Sequence, residues 1–113
     1  MTEPRLKSHI RVDAHLRRAQ AGGAFATIAR KGDADAGAIA VKVYLGGRAA
    51  KLFVQSRDID GQVIWRDPFE DDPKAEETEA RVDQWLQKEA SIDPDLWIVE
   101  IEDREGRAFL EEI

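Results

Sequence analysis

The sequence contains no cysteine. Disulfides, thiolate catalysis and Cys-based zinc sites are therefore excluded, and the composition fits a reducing compartment. Two histidines, His9 and His15, are too few for a histidine-based metal site without help from carboxylates. No apolar run approaches the roughly 20 residues of a membrane-spanning helix. The N-terminal MTEPRLKSHI lacks the apolar stretch of a signal peptide. The expected location is the cytoplasm, with no membrane contact. Catalytic motifs are missing as well. No glycine-rich loop ends in Lys-Ser or Lys-Thr, no His-Glu-x-x-His occurs, and Gly46-Gly47-Arg48 does not fit a dinucleotide fingerprint. Asp58-Ile59-Asp60-Gly61 begins like a calcium loop, but its glycine comes too early and Phe69 stands where the closing glutamate belongs. A hairpin turn accounts for the segment. No cofactor and no metal is expected, and no catalytic residue is assigned.

What is present suffices for one domain over residues 1–113. A chain of this length buries roughly two thirds of its unfolded surface, and a 42% hydrophobic content supplies a core despite 35% charged residues. Net charge is −6, which argues against generic nucleic-acid binding, because phosphate neutralisation requires Lys and Arg. The total conceals a division. Residues 1–57 carry 11 Lys or Arg against 4 Asp or Glu, a balance of +7; residues 58–113 carry 6 against 19, a balance of −13. Either the two halves pair within the fold, or they present a basic and an acidic face to a partner.

Residues 6–17 alternate with period two, which is a strand pattern. Asp13 can cap a helix, however, and Gly22-Gly23 can end one. The reading adopted is a strand over 6–12 and a short helix over 13–21. Ala24–Arg30, Ile39–Leu45, Ala49–Ser56 and Gln62–Arg66 read as strands, joined by Gly46-Gly47 and Asp60-Gly61 turns. They are expected to form a four-stranded antiparallel meander over 24–66. Asp72-Pro73 opens a helix to residue 90 with an apolar stripe of Ala75, Val82, Trp85, Leu86 and Ala90. Leu96–Ile101, apolar on both faces, suggests a central strand, and Arg107–Leu110 a short last one. The fold class is α+β: a mostly antiparallel sheet of five to seven strands with the helices gathered on one face.

Three sets of polar residues invite a functional reading. Asp33 and Asp35 share a loop and can hold a cation or simply build the turn. Arg17-Arg18, with Arg11, His15, Arg30, Lys31 and Lys42, supplies anion-binding groups or a face paired with the acidic half. Glu100 approaches the core face and needs an Arg partner there or carries a raised pKa.

Leu16-Arg17-Arg18, the loop Gly32-Asp33-Ala34-Asp35-Ala36-Gly37 leading into Ile39-Ala40-Val41-Lys42, and Asp93-Pro94-Asp95-Leu96-Trp97-Ile98-Val99-Glu100-Ile101-Glu102-Asp103-Arg104 together resemble the alphaproteobacterial proteins grouped as domain of unknown function 1491. The resemblance covers nearly the whole chain and weakens over residues 55–72. It implies a small stand-alone bacterial protein and brings no activity with it. Its motif residues are the ligand-binding candidates: Arg17, Arg18, Asp33, Lys42, Asp95 and Glu100, beside Gly37 with a backbone role and Trp97 with a packing role. The function expected is a non-enzymatic interaction or regulatory module, binding a protein partner or itself through charged faces. The alternative is a small enzyme or ligand-binding protein whose Arg17, Arg18 and Lys42 meet Asp33 or Glu100 around an anionic or metal-bound ligand.

Overall fold

The computed structural model describes residues 6–72 and 78–111. It contains α1 (Ser8–Ala21), β1 (Phe25–Arg30), β2 (Ile39–Gly46), β3 (Ala49–Arg57), β4 (Val63–Arg66), α2 (Glu79–Ile92) and β5 (Trp97–Glu102).

The first element corrects the period-two reading: residues 6–12 form no strand, and α1 begins at Ser8. Its buried residues are Ser8, Val12, His15 and Ala19, a helical spacing. Two of the four are polar, while the apolar Leu6 and Ile10 are exposed, so hydrophobicity alone misreports the phase. The start is set by tertiary capping. The N–H groups of Ser8 and His9 donate to Asp35 O and Ala34 O, and Ser8 Oγ donates to Gly37 O at 2.6 Å. The loop over 31–37 thus satisfies the orphan donors of the first turn. Gly22 and the positive φ of Gly23 end the helix.

The strand order is β1-β5-β2-β3-β4. β5 runs parallel to β2 and antiparallel to β1, and β2–β3–β4 is antiparallel. The sheet is mixed, and the expected four-strand meander shrinks to three because β5 enters between β1 and β2. The reason is in β5 itself: Trp97, Ile98 and Val99 are all buried, and a strand apolar on both faces is stable only at the centre. The β2–β3 hairpin turns at Gly47-Arg48, both with positive φ. In the β3–β4 loop Asp58 Oδ1 accepts from Asp60 N and Gln62 N, so this carboxylate serves the turn.

The helices lie on opposite faces, not on one. Val12 and Ala19 of α1 pack with Ile39, Val41, Val43, Trp97, Val99 and Ile101. Val82 and Leu86 of α2 pack with Ala40, Ala50, Leu52, Leu96 and Ile98. Both parities of β2 and β5 include buried apolar residues, Val41 and Val99 on one face and Ala40 and Ile98 on the other, so each face requires a cover. Each large side chain buried this way contributes about 1.5–3 kcal/mol.

The expected Asp72-Pro73 helix start and Ala75 fall at or beside residues 73–77, which lie outside the described residues. The described helix is capped by Thr78, whose Oγ1 accepts from Arg81 N at 3.3 Å. It ends at Ile92, ahead of Pro94 as expected. Residues 107–110 form no strand. The carbonyls of Ala108 and Phe109 accept from the side chains of His15 and Arg18 instead of a neighbouring strand. Among the described residues no helix is long and apolar enough to cross a membrane.

Candidate functional site

Among the described residues, Lys42 is the candidate around which several charged groups converge. It lies on the α2 face of β2, in register with Glu100 of β5, and is 5% exposed. One turn of α2 presents Glu79 and Asp83, four residues apart and so on one side of the helix. Lys42 Nζ is 2.7 Å from Asp83 Oδ1, 2.9 Å from Glu79 Oε2 and 3.8 Å from Glu100 Oε1. Burial alone pushes the ammonium pKa down. Hydrogen bonds to Asp83 and Glu79 and the charge of Glu100 outweigh it and hold the value above the ordinary 10.5. A lysine held protonated offers neither an amine nucleophile nor a base at neutral pH. Its chemistry is that of a fixed cation pinning α2 to the sheet.

Asp33 and Asp95 meet through their backbones. Asp33 N donates to Asp95 O at 3.0 Å, and Asp33 O accepts from Trp97 Nε1 at 2.6 Å. The Asp33 carboxylate accepts from Asp35 N and Ala36 N, and Asp95 N donates to Asp93 Oδ1. Arg30 donates to Pro94 O and Leu96 O. These residues lash two loops together. Gly37 sits against the same place: a Cβ there would overlap the Asp95 carbonyl and press on Trp97.

Arg17 and Arg18 lie on α1, across the sheet from Lys42. Arg17 is exposed, 3.3 Å from Asp13. Arg18 Nε donates to Phe109 O at 3.1 Å. The structure therefore joins Lys42 with Glu100 and Asp33 with Asp95, and leaves the two arginines apart from both pairs. Among the described residues, none of the six candidates lines either of two surface depressions beside α2. No group of three or more acidic or histidine side chains is placed to hold a metal among the described residues.

Sequence reasoning missed the strap formed by residues 107–111. Arg11, His15 and Arg18, at helical spacing on α1, hold Glu111, Ala108 O and Phe109 O respectively, and Arg11 also reaches Gln55 at 2.9 Å. That i, i+4, i+7 spacing was the available signal. His15 Nε2 lies 2.7 Å from Ala108 O, and the ring meets Trp65 edge-on. Burial, with Arg18 and Arg11 nearby, lowers its pKa from 6.5 against the opposing pull of Ala108 O and Glu111.

Among the described residues one surface has no cover. β1 is an edge of the sheet, with Phe25 64% and Ile28 44% exposed. Phe25 and Thr27 stand opposite Glu102 and Glu100, hence on the α2 face, while α2 itself packs over β3, Ala40 and Ile98.

The model of the family described as protein of unknown function (DUF1491) matches residues 6–111. The crystal structure of a DUF1491 family protein from Caulobacter crescentus CB15 is 47% identical, with a TM-score of 0.84 over 96% of this chain and 97% of that one. An NMR structure of a DUF1491 family protein from the same organism is 46% identical, with a TM-score of 0.82 over 97% and 96%. The solution structure of a protein from A. tumefaciens is 29% identical, with a TM-score of 0.71 over 97% and 90%. No curated protein matches.

Proposed function

The chain belongs to the DUF1491 family of proteins of unknown function, and on that footing we propose that it works as a non-enzymatic interaction module with a charge-polarised surface. One observation carries this reading: the motif groups that would do chemistry are engaged in holding the fold. Lys42 is locked as a cation, Asp33 caps its own turn, and Arg18 holds the strap. What remains outward among the described residues is charge and an uncovered sheet edge. Part of the charge division is internal, since Lys42 and Arg11 of the basic half pair with Glu79, Asp83, Glu100 and Glu111 of the acidic half. Glu102 and Arg17 face solvent, where charge governs encounter more than stability. Tagged protein passed through a cell extract at low and high salt, with light scattering on the purified chain, tests the role. Salt-sensitive capture of a partner, or salt-sensitive self-association, is expected. A monomer that captures nothing under either condition contradicts it.

A further inference from the structure

We infer that β1 accepts an extended, basic and apolar segment of a partner protein as a sixth strand, a specification that rests on the interaction role proposed above. Natural edge strands are guarded against such pairing by lysine, proline, inward charge or a covering element. Phe25-Ala-Thr-Ile-Ala-Arg30 contains no lysine and no proline. Its one charged residue, Arg30, is committed to the carbonyls of Pro94 and Leu96. The register shift between Ile28 and Arg30 bends the strand's far end and confines pairing to the regular stretch over Phe25–Ile28. The opposite edge, β4, is a four-residue strand.

The side chains along this stretch state what the partner must carry. Phe25 and Thr27 are exposed on the α2 face and Ile28 on the α1 face, so an added strand finds apolar contact on both sides. One strand further in stand Glu100 and Glu102, and behind Glu100 stand Glu79 and Asp83, with Lys42 the cation among them. These four carboxylates outnumber the Lys42 ammonium and the Arg30 guanidinium, which stands opposite Ile98 at the far end of β1. The nearby cations Lys31 and Arg104 follow the ends of β1 and β5 in loops. A strand paired to β1 lies about 10 Å from β5, within the reach of Lys and Arg side chains and about one Debye length. An arginine there also passes over the exposed Phe25 ring. A second copy of this chain is a poorer occupant, because edge-to-edge pairing of two β1 strands sets two such acidic faces side by side.

The test uses the whole protein and synthetic peptides of about ten residues with identical apolar residues at alternate positions. Lys and Arg fill the remaining positions in one peptide and Glu in the other, and binding is read by fluorescence anisotropy. The basic peptide is expected to bind about tenfold or more tightly than the acidic one at low salt, and to weaken as salt rises. Phe25→Lys and Glu102→Lys are each expected to lower that affinity several-fold. Two N-methylated versions of the basic peptide, blocked on alternate amides in the two phases, are expected to differ, one losing binding and the other keeping it, because a strand pairs through every second residue. Equal affinity for the two charge types, or equal behaviour of the two methylated phases, overturns the inference. So does a dimer of the free protein that Phe25→Lys dissociates, since the edge is then filled by a second copy. If a partner is captured from extract but Phe25→Lys captures it equally well, this inference fails and the interaction role stands. If nothing is captured at all, the role itself fails.

Discussion

Lys42 stands in register with Glu100 across the parallel pair of β2 and β5, yet its ammonium lies closer to Asp83, at 2.7 Å against 3.8 Å. The strand neighbour is the weaker partner, and the helix above the sheet supplies the stronger ones. The cation thereby ties three elements together: β2, β5 and α2.

Lys42→Met tests that tie. It keeps the stem's bulk and removes the charge, leaving Glu79, Asp83 and Glu100 facing one another. Removing one partner of a fully buried pair costs about 3–5 kcal/mol. These carboxylates are one third to one half exposed, so solvent absorbs part of the penalty and about 2 kcal/mol is expected by urea denaturation at neutral pH. The folded-state pKa of Lys42 is raised above 10.5. Its contribution is therefore complete below that value and is lost as pH rises through the raised one, where the two proteins converge in stability.

His15 gives a pH signature of opposite sign. Its folded-state pKa is lowered from 6.5, so the unfolded chain takes up a proton first as pH falls. Stability is full above 6.5 and declines below it until the buried ring is also protonated. His15→Gln keeps a donor for Ala108 O and cannot titrate. The variant is expected to lose less Tm than the wild type as pH drops through 6.5, by calorimetry across that window.

Gly37→Ala is expected to destabilise the protein by about 1–3 kcal/mol, the usual cost of overpacking. The added Cβ overlaps Asp95 O and crowds Trp97, where the indole N–H donates to Asp33 O. Thermal unfolding, with the Trp97 indole N–H resonance followed by NMR as a second readout, checks both packing and hydrogen bond.

Phe25→Lys separates fold from surface. Phe25 is 64% exposed, so its replacement is expected to change stability by no more than about 0.5 kcal/mol, measured by urea denaturation. A larger loss means that the ring packs against something and that β1 is not an open edge.

Much of this arrangement was legible in the residues. The hairpin glycines, the helix ending before Pro94 and the central place of β5 all followed from local chemistry. The two-faced apolarity of Leu96–Ile101 was equally visible, yet the helices were expected on one face, whereas α1 and α2 cover opposite ones. The start of α1 was not legible, because Ser8 and His15 are buried by partners distant in sequence, Gly37 and Ala108. The candidate residues were legible as a motif but not as a site. Asp33 and Asp95 act through main-chain atoms, which side-chain chemistry does not announce. Glu100 found a lysine instead of the expected arginine, and its companions Glu79 and Asp83 were hidden by the sequence distance between β2 and α2.

Amide hydrogen exchange over Phe25–Arg30, measured on the free protein and on its complex with a captured partner, bears most directly on an interaction role at this edge. Alternate β1 amides are expected to exchange quickly in the free protein and to become protected in the complex. No change in β1 on complex formation, with protection elsewhere or nowhere, contradicts the account.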